Sequence, residues 1–236
     1  MRARAASSDS RSVFFDAPAG YPIGRHPVDG PWEVPILARL SLEHVPCQLV
    51  AFNDRGRAKQ PRTSGIHFFR DDSAFQPVLQ SPLAYVSTFS DYGATLTPDV
   101  TLGAGMNAWM KAQRVAYARM VGVVWELRGL RVIPTVRWTS TEDLDMVCSG
   151  IATQSVIAVS NYGSRRDPTL RNVFERNLPA VVERLSPVAL MVFGSARSRV
   201  FASVRKNAQI FEYRPPTATT SRGMLAGRRS AWTPLF

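Results

Sequence analysis

Asp71, Asp72 and Asp99 are the side chains whose type and placement best suit chemistry in this chain. Each ends a short apolar run: His67-Phe68-Phe69-Arg70 leads into the first pair, and Ala94-Thr95-Leu96-Thr97-Pro98 into the third. Carboxylates gathered at one edge of a sheet can bind Mg²⁺ through oxygen or divide the roles of general acid and base. The same residue types also serve structure. Asp72 or Ser73 fits the N-cap of a helix starting near Ala74, and Asp99 sits in a Pro-Asp turn.

Other chemistries are poorly supplied. Phe193-Gly194-Ser195 places a serine after an apolar run, without a GxSxG elbow or a histidine in the pattern to pair with it. Gly103-Ala104-Gly105 lacks the third glycine of a dinucleotide loop, and no GxxxxGK[ST] occurs. Gly194 and Ser195 at a helix start, followed by Arg197 and Arg199, suit a phosphate; a plain strand-to-helix turn explains them as well. Cys47 and Cys148 lie far apart, and His26, His44 and His67 form no HxH or HxxxH pair. Neither a metal nor a cofactor is expected.

Bringing the aspartates together requires a scaffold, and the apolar pattern supplies one. Strands are predicted at 48–52, 66–69, 94–96, 131–136, 156–160, 189–193 and 210–213. Helices are predicted from 74, over 106–127, near 142–148, over 168–185 with a proline in the first turn, and over 195–207. Short apolar strands alternating with helices specify βα units and a mainly parallel sheet. The fold class is α/β, either an open sheet or an incomplete barrel, with the barrel-like form preferred. Right-handed crossovers bring the C-terminal ends of the strands to one rim. That rim collects Arg70, Asp71, Asp72, Asp99, Arg137, Trp138, the segment Asn161 to Ser164, Gly194 and Ser195.

The long helix carries Met106, Trp109, Met110, Gln113, Tyr117, Met120, Val124 and Leu127 at three- and four-residue spacing, an apolar stripe expected to face the sheet. Lys111, Arg114 and Arg119 are expected on the opposite, solvated face. Residues 1–15 read as a disordered terminus, and 16–64 as a Pro/Gly-rich extended arm and linker packed on the body. Tyr21 and Trp32, with Phe14 and Phe15, are the side chains expected to pin the arm. The α/β domain spans 65–214, and 215–236 forms a basic tail.

Across its 236 residues the chain carries a formal net charge of +11, unevenly placed. Lys and Arg outnumber Asp and Glu by 9 to 6 over residues 1–62, by 12 to 11 over 63–194 and by 8 to 1 over 195–236. Contact with an acidic partner, or a solvated tail that keeps the protein soluble, accounts for this C-terminal flank. The contact candidates are Arg197, Arg199, Arg205 and Lys206, with Arg228, Arg229, Trp232 and Phe236 further along. No apolar run reaches the ~18 residues that suggest a membrane span. The first eleven residues also lack the apolar stretch of a secretion signal. The expected location is the cytoplasm, with no membrane partner.

Several ordered motifs carry a resemblance. His67-Phe68-Phe69-Arg70-Asp71-Asp72 with Phe75, Thr97-Pro98-Asp99-Val100-Thr101-Leu102, the run from Arg131 to Trp138, Val159-Ser160 with Gly163, and Phe193-Gly194-Ser195 resemble an uncharacterised family of phage and mobile-element proteins. The likeness covers about Gly65 to Tyr213 and leaves the arm and the tail outside it. Within that family the chain looks most like the recombination directionality factors, excisionase-like proteins of temperate actinophages that use large serine integrases.

That resemblance implies a regulatory binding protein acting in the infected or lysogenic bacterial host. Its partner would be a serine integrase on attachment-site DNA, engaged at the coiled-coil arm, with weak, non-specific DNA contact alongside. It would switch the integrase from attP × attB joining to attL × attR recombination. The competing expectation is a metal-dependent hydrolase or nuclease that uses Asp71, Asp72 and Asp99, with Trp138 on the same rim.

Overall fold

The computed structural model describes residues 16–215. Seven parallel strands follow one another in space as they do in sequence. β3 (Gln48–Ala51), β4 (Ser64–His67), β5 (Ala94–Leu96) and β6 (Val132–Ile133) form one ladder, and β7 (Val156–Ser160), β8 (Ala189–Phe193) and β9 (Gln209–Tyr213) form another. The two ladders meet just beyond β6, where Val136 donates to the Ala158 carbonyl at 2.8 Å and Ala158 to that of Pro134 at 2.9 Å.

Ring contacts show that this sheet is strongly curled. In a flat sheet β4 and β8, four strands apart, would stand about 19 Å from one another. Instead, the rings of His67 on β4 and Phe193 on β8 lie 4.4 Å apart. The hydroxyl of Tyr213, at the end of β9, donates to the Pro46 carbonyl just before β3 at 2.6 Å. Among the described residues no ladder joins β3 to β9, so the expected barrel is not closed by strand pairing.

The curl divides the core into an inside and an outside. Strand side chains alternate between two faces: Val156, Ala158, Ala189, Met191 and Phe193 join Leu96, Ile133 and Leu40 in the interior. Ile157, Val159, Leu190 and Val192 point outward to the helices of the second half. Those helices are α4 (Leu144–Cys148), α5 (Pro168–Leu185) and α6 (Arg199–Val204). In the first half α1 (Gln76–Gln80) and α2 (Val86–Phe89) follow β4, while α3 (Ala108–Glu126) follows β5. Asp167 caps α5 by accepting the amides of Thr169 and Leu170 at 2.8 and 3.2 Å, with Pro168 in the first turn as expected.

The Pro/Gly-rich arm wraps the N-terminal ends of the strands. It contains a two-residue antiparallel hairpin, β1 (Val28–Asp29) with β2 (Val34–Pro35). Asp29 accepts the Gly150 amide at 3.1 Å, and Leu37 donates to the Gly150 carbonyl at 2.9 Å. Further on, Leu40 donates to Ser155 Oγ and accepts from Val156, which extends the interior downward. Tyr21 packs against the first-half core, whereas Trp32 is 40% exposed. Phe14 and Phe15 lie outside the described residues. The sheet's first strand, β3, falls within residues 16–64, the segment expected as arm and linker.

Two features of the arm yield predictions. Gly150 has φ of +73°, and a Cβ there would meet the Pro35 carbonyl oxygen at 2.3 Å. Gly150→Ala should therefore cost more than the ~1–3 kcal/mol of backbone strain alone, measured as a lower urea midpoint; an unchanged midpoint would contradict the arm's docking here. Glu126, on α3, accepts the Ala38 amide at 3.0 and 3.2 Å. Burial pushes its carboxyl up to about 7 from a usual 4.5, with the Ala38 amide opposing the shift. Its protonated form favours folding, so the contribution is full below about 4.5 and fades as pH rises through about 7. Urea titrations across that window should show the native chain losing stability relative to Glu126→Gln; parallel profiles would refute the assignment.

Candidate functional site

The C-terminal rim of the sheet is where ligands bind parallel α/β folds, and the sequence-derived candidates do gather there. Their side chains, however, are engaged with the protein itself. Asp72 accepts the amide and hydroxyl of Thr101 at 3.0 and 2.9 Å and the Arg114 guanidinium at 3.1 Å. It caps no helix, contrary to the N-cap expectation; α1 begins without a side-chain cap. Asp99 is buried and meets Arg137 at 3.0 Å. Burial raises its carboxyl above the usual range against the pull of Arg137, and the charge of Asp72 adds to the rise. Asp71 is exposed. Trp138 is buried, stacked on Phe174 at 5.2 Å, with its indole N–H donating to the Val173 carbonyl.

The mouth of the curled sheet is filled. His67 stacks on Phe69 at 5.4 Å and Phe69 on Phe193 at 5.1 Å, and Tyr162 meets Phe193 edge-on at 5.9 Å. Burial, aided by the charge of Arg70, pushes the His67 imidazole down to about 3. It is therefore neutral at physiological pH, and its Nδ1 accepts the Phe69 amide at 3.2 Å.

The turn after β8 is also occupied. Asn161 accepts the Ser195 amide at 3.0 Å and donates to the Ser195 carbonyl at 2.7 Å, while Glu212 accepts the Ala196 amide at 2.8 Å. Gly194, at φ of +136°, lets Asn161 approach: a Cβ would lie 1.9 Å from Asn161 Oδ1. The amides proposed to cradle a phosphate thus have intramolecular acceptors, which corrects that reading. Arg197 and Arg199 beside them are exposed.

A network that sequence reasoning misplaced lies beneath the rim, on α3. Lys111 and Arg119, expected on a solvated face, are 5% and 2% exposed. Lys111 Nζ donates to Asp143 at 2.9 Å and to Thr139 at 2.7 Å, and Asp143 also accepts the amides of Thr139 and Ser140. Burial acts to raise the Asp143 carboxyl, but the hydrogen bonds of Lys111 and Thr139 together with the Lys111 charge hold it below its usual range. Arg119 donates to Thr97 Oγ1 at 3.4 Å and to the Val147 carbonyl at 3.2 Å, and burial pushes it down to about 10.

The misplacement has a physical reason. Three sets of partners surround α3: Leu37 of the arm meets the Gly122 face together with Thr97 and Val132, Tyr117 and Trp125 donate to the carbonyls of Leu79 and Pro82, and Arg119 donates to Val147 on α4. The helix is therefore buried on more than one face. Trp109 and Leu127, expected to face the sheet, are 56% and 52% exposed. Small residues could have given the correct face: Ala112, Val115, Ala118 and Gly122 share it with Lys111 and Arg119. A Cβ on Gly122 would come within 2.8 Å of Leu37.

Little space remains for a substrate here. Asp99, Arg119, Thr135 and Arg137 line a cavity of about 20 Å³, room for about one water. A groove of about 480 Å³ lies elsewhere, between α4 and α5, beside Asp145, Glu183 and Arg184. Among the described residues no group of three or more His, Cys, Asp or Glu side chains is placed to hold a metal ion.

The fold and site define a curled, parallel βα domain whose mouth is packed with rings and whose rim carboxylates lie mainly in ion pairs. The chain belongs to an uncharacterised phage-protein family, described as "Domain of unknown function (DUF4417)", which matches residues 26–214. The match takes in most of the arm, which the motif likeness had left out. The chain is similar to the "Gene 1 protein" of Mycobacterium phage L5, at 31% identity over 70% of this chain and 72% of that protein. It is also similar to the "Gene 1 protein" of Mycobacterium phage D29, at 30% identity over 72% of this chain and 63% of that protein. No solved structure matches it.

Truncating one partner of a buried ion pair costs about 3–5 kcal/mol, whereas replacing both with apolar groups often does not. Lys111→Met should therefore lower the urea midpoint sharply, and Lys111→Met with Asp143→Leu should recover much of the loss. Additive losses would show that the pair is not a unit.

Proposed function

We propose that this chain is a recombination directionality factor: a protein that binds a large serine integrase on attachment-site DNA and turns it from attP × attB joining to attL × attR recombination. The observation that carries the reading is the engagement of Asp72, Asp99 and Asp143 by Arg114, Arg137 and Lys111, in a chain of a phage-protein family. Carboxylates held in that way position backbone and helices, which leaves the outer surface to act. Arg197, Arg199, Arg205 and Lys206 are exposed and, among the described residues, form no ion pair. Arg228, Arg229, Trp232 and Phe236 lie outside the described residues.

The mechanism is differential binding. A factor changes the direction of a reversible assembly only by binding one arrangement more tightly than the other. The proposed contact is the integrase's coiled-coil arm, stabilised in the synapse competent on attL and attR. Among the described residues no helix is long and apolar enough to cross a membrane. The proposed site of action is the cytoplasm of the infected or lysogenic host.

The test adds the purified chain to the large serine integrase of the element that encodes it and follows recombinant DNA products. The proposal predicts more attL × attR product and less attP × attB product. It also predicts that a folded variant carrying Asp71→Asn, Asp72→Asn and Asp99→Asn keeps the effect. Unchanged direction with the native chain would overturn the proposal, and loss in the folded triple variant would favour the aspartate hydrolase or nuclease instead.

A further inference from the structure

The two rims of the sheet treat charge differently. At the C-terminal rim acids and bases meet one another: Asp54 with Arg57 and Arg70, Asp72 with Arg114, Asp99 with Arg137, and Glu212 with Arg214. At the N-terminal rim, Arg39, Arg62, Arg128 and Arg131 are all exposed, and none forms an ion pair among the described residues.

Topology places these four close together. Arg62 lies just before β4, separated from its start at Ser64 by Thr63, Arg131 directly precedes β6, and the two flank the same turn before β5. The Arg62 carbonyl would lie 2.5 Å from a Cβ on Gly93, while Arg131 Nη1 reaches the Gly93 carbonyl at 3.5 Å. Arg128 follows the end of α3, and Arg39 adjoins Ala38, whose amide is bound by Glu126 in the last turn of that helix. The acids nearby are Asp91, Glu43 and Glu126, the last already holding Ala38. A helix C-terminus favours a cation and so accounts for Arg128. That argument does not reach Arg39 or Arg131, which lie in no helix's last turn, and Arg62 belongs to a 3-10 helix of only three residues, too short for a sizeable dipole.

We propose that this N-terminal rim is a second, independent contact surface, whose partner is the phosphate backbone of duplex DNA. Guanidinium groups pair with phosphate oxygens through two parallel N–H donors. Several unpaired arginines on one rim suit a polyanion with regularly repeated charge better than a protein face, whose core is apolar and poor in charge. Leu42 and Leu127 are the exposed large apolar side chains at this rim, a minority beside the arginines. Such contacts carry no sequence information; they would hold the chain along DNA whatever the integrase does.

The experiment uses the full chain without integrase, so its outcome is separate from the directionality proposal. Fluorescence anisotropy with a labelled duplex of unrelated sequence is followed from about 50 to about 200 mM salt, where each phosphate contact contributes about 0.9 to the slope of log K against log salt. Arg128→Ala with Arg131→Ala, and separately Arg39→Ala with Arg62→Ala, should each reduce that slope by nearly 2 in a chain that still unfolds cooperatively on heating. Arg171→Ala with Arg176→Ala, two exposed positions on α5, should leave the slope as it is. No binding by the native chain at low salt, equal losses in rim and α5 variants, or competition by polyglutamate as effective as by duplex would each overturn the proposal.

Discussion

The inner face of a seven-stranded parallel sheet is apolar and must be covered, although the first and last strands here do not pair. Side chains reaching across the interior meet that requirement. Tyr213 on β9 bonds to the carbonyl before β3, and Phe193 on β8 lies against His67 on β4. Large aromatic side chains suit this task because each buries much apolar area while its ring fixes geometry. The consequence for function is direct: the residues that seal the interior also fill the mouth where a related architecture would admit a ligand.

With the mouth filled, charge at the rim takes on structural work. An isolated buried ion is costly, and it persists when a partner and further hydrogen bonds satisfy it. Asp143 meets that condition through Lys111, Thr139 and two backbone amides, and it fastens the loop after β6 to α3. Asp72 ties the loop after β5 to the same helix through Thr101 and Arg114. The long helix is thus the element to which both loops are anchored, and Leu37 of the arm packs on it at Gly122.

Much of this architecture is legible in the amino-acid order. The short apolar runs at 156–160 and 189–193 became β7 and β8, and α5 begins at Pro168 and ends at Leu185, where its first-turn proline and its spacing placed it. The candidate site was legible as a location but not as a set of interactions. Asp72 and Asp99 do reach one rim, yet which arginine each would meet depends on α3 and on the loop after β6, far away in sequence. Lys111 and Arg119 were misplaced because a helical wheel assumes one buried face, and the cover they receive from the loop after β6 and from α4 is a tertiary fact with no local periodicity. The preferred barrel-like form anticipated the curl, but not the contacts between strands four apart that make it.

In this account the protein works through its outer surface, with its rim carboxylates serving the fold. Amide hydrogen exchange of the chain with and without the proposed partner, a large serine integrase, tests that claim most directly. The account predicts protection on the exposed cationic surface that includes residues 197–206, with exchange around Asp72 and Asp99 unchanged. Protection confined to the segments carrying Asp71, Asp72 and Asp99 would contradict it.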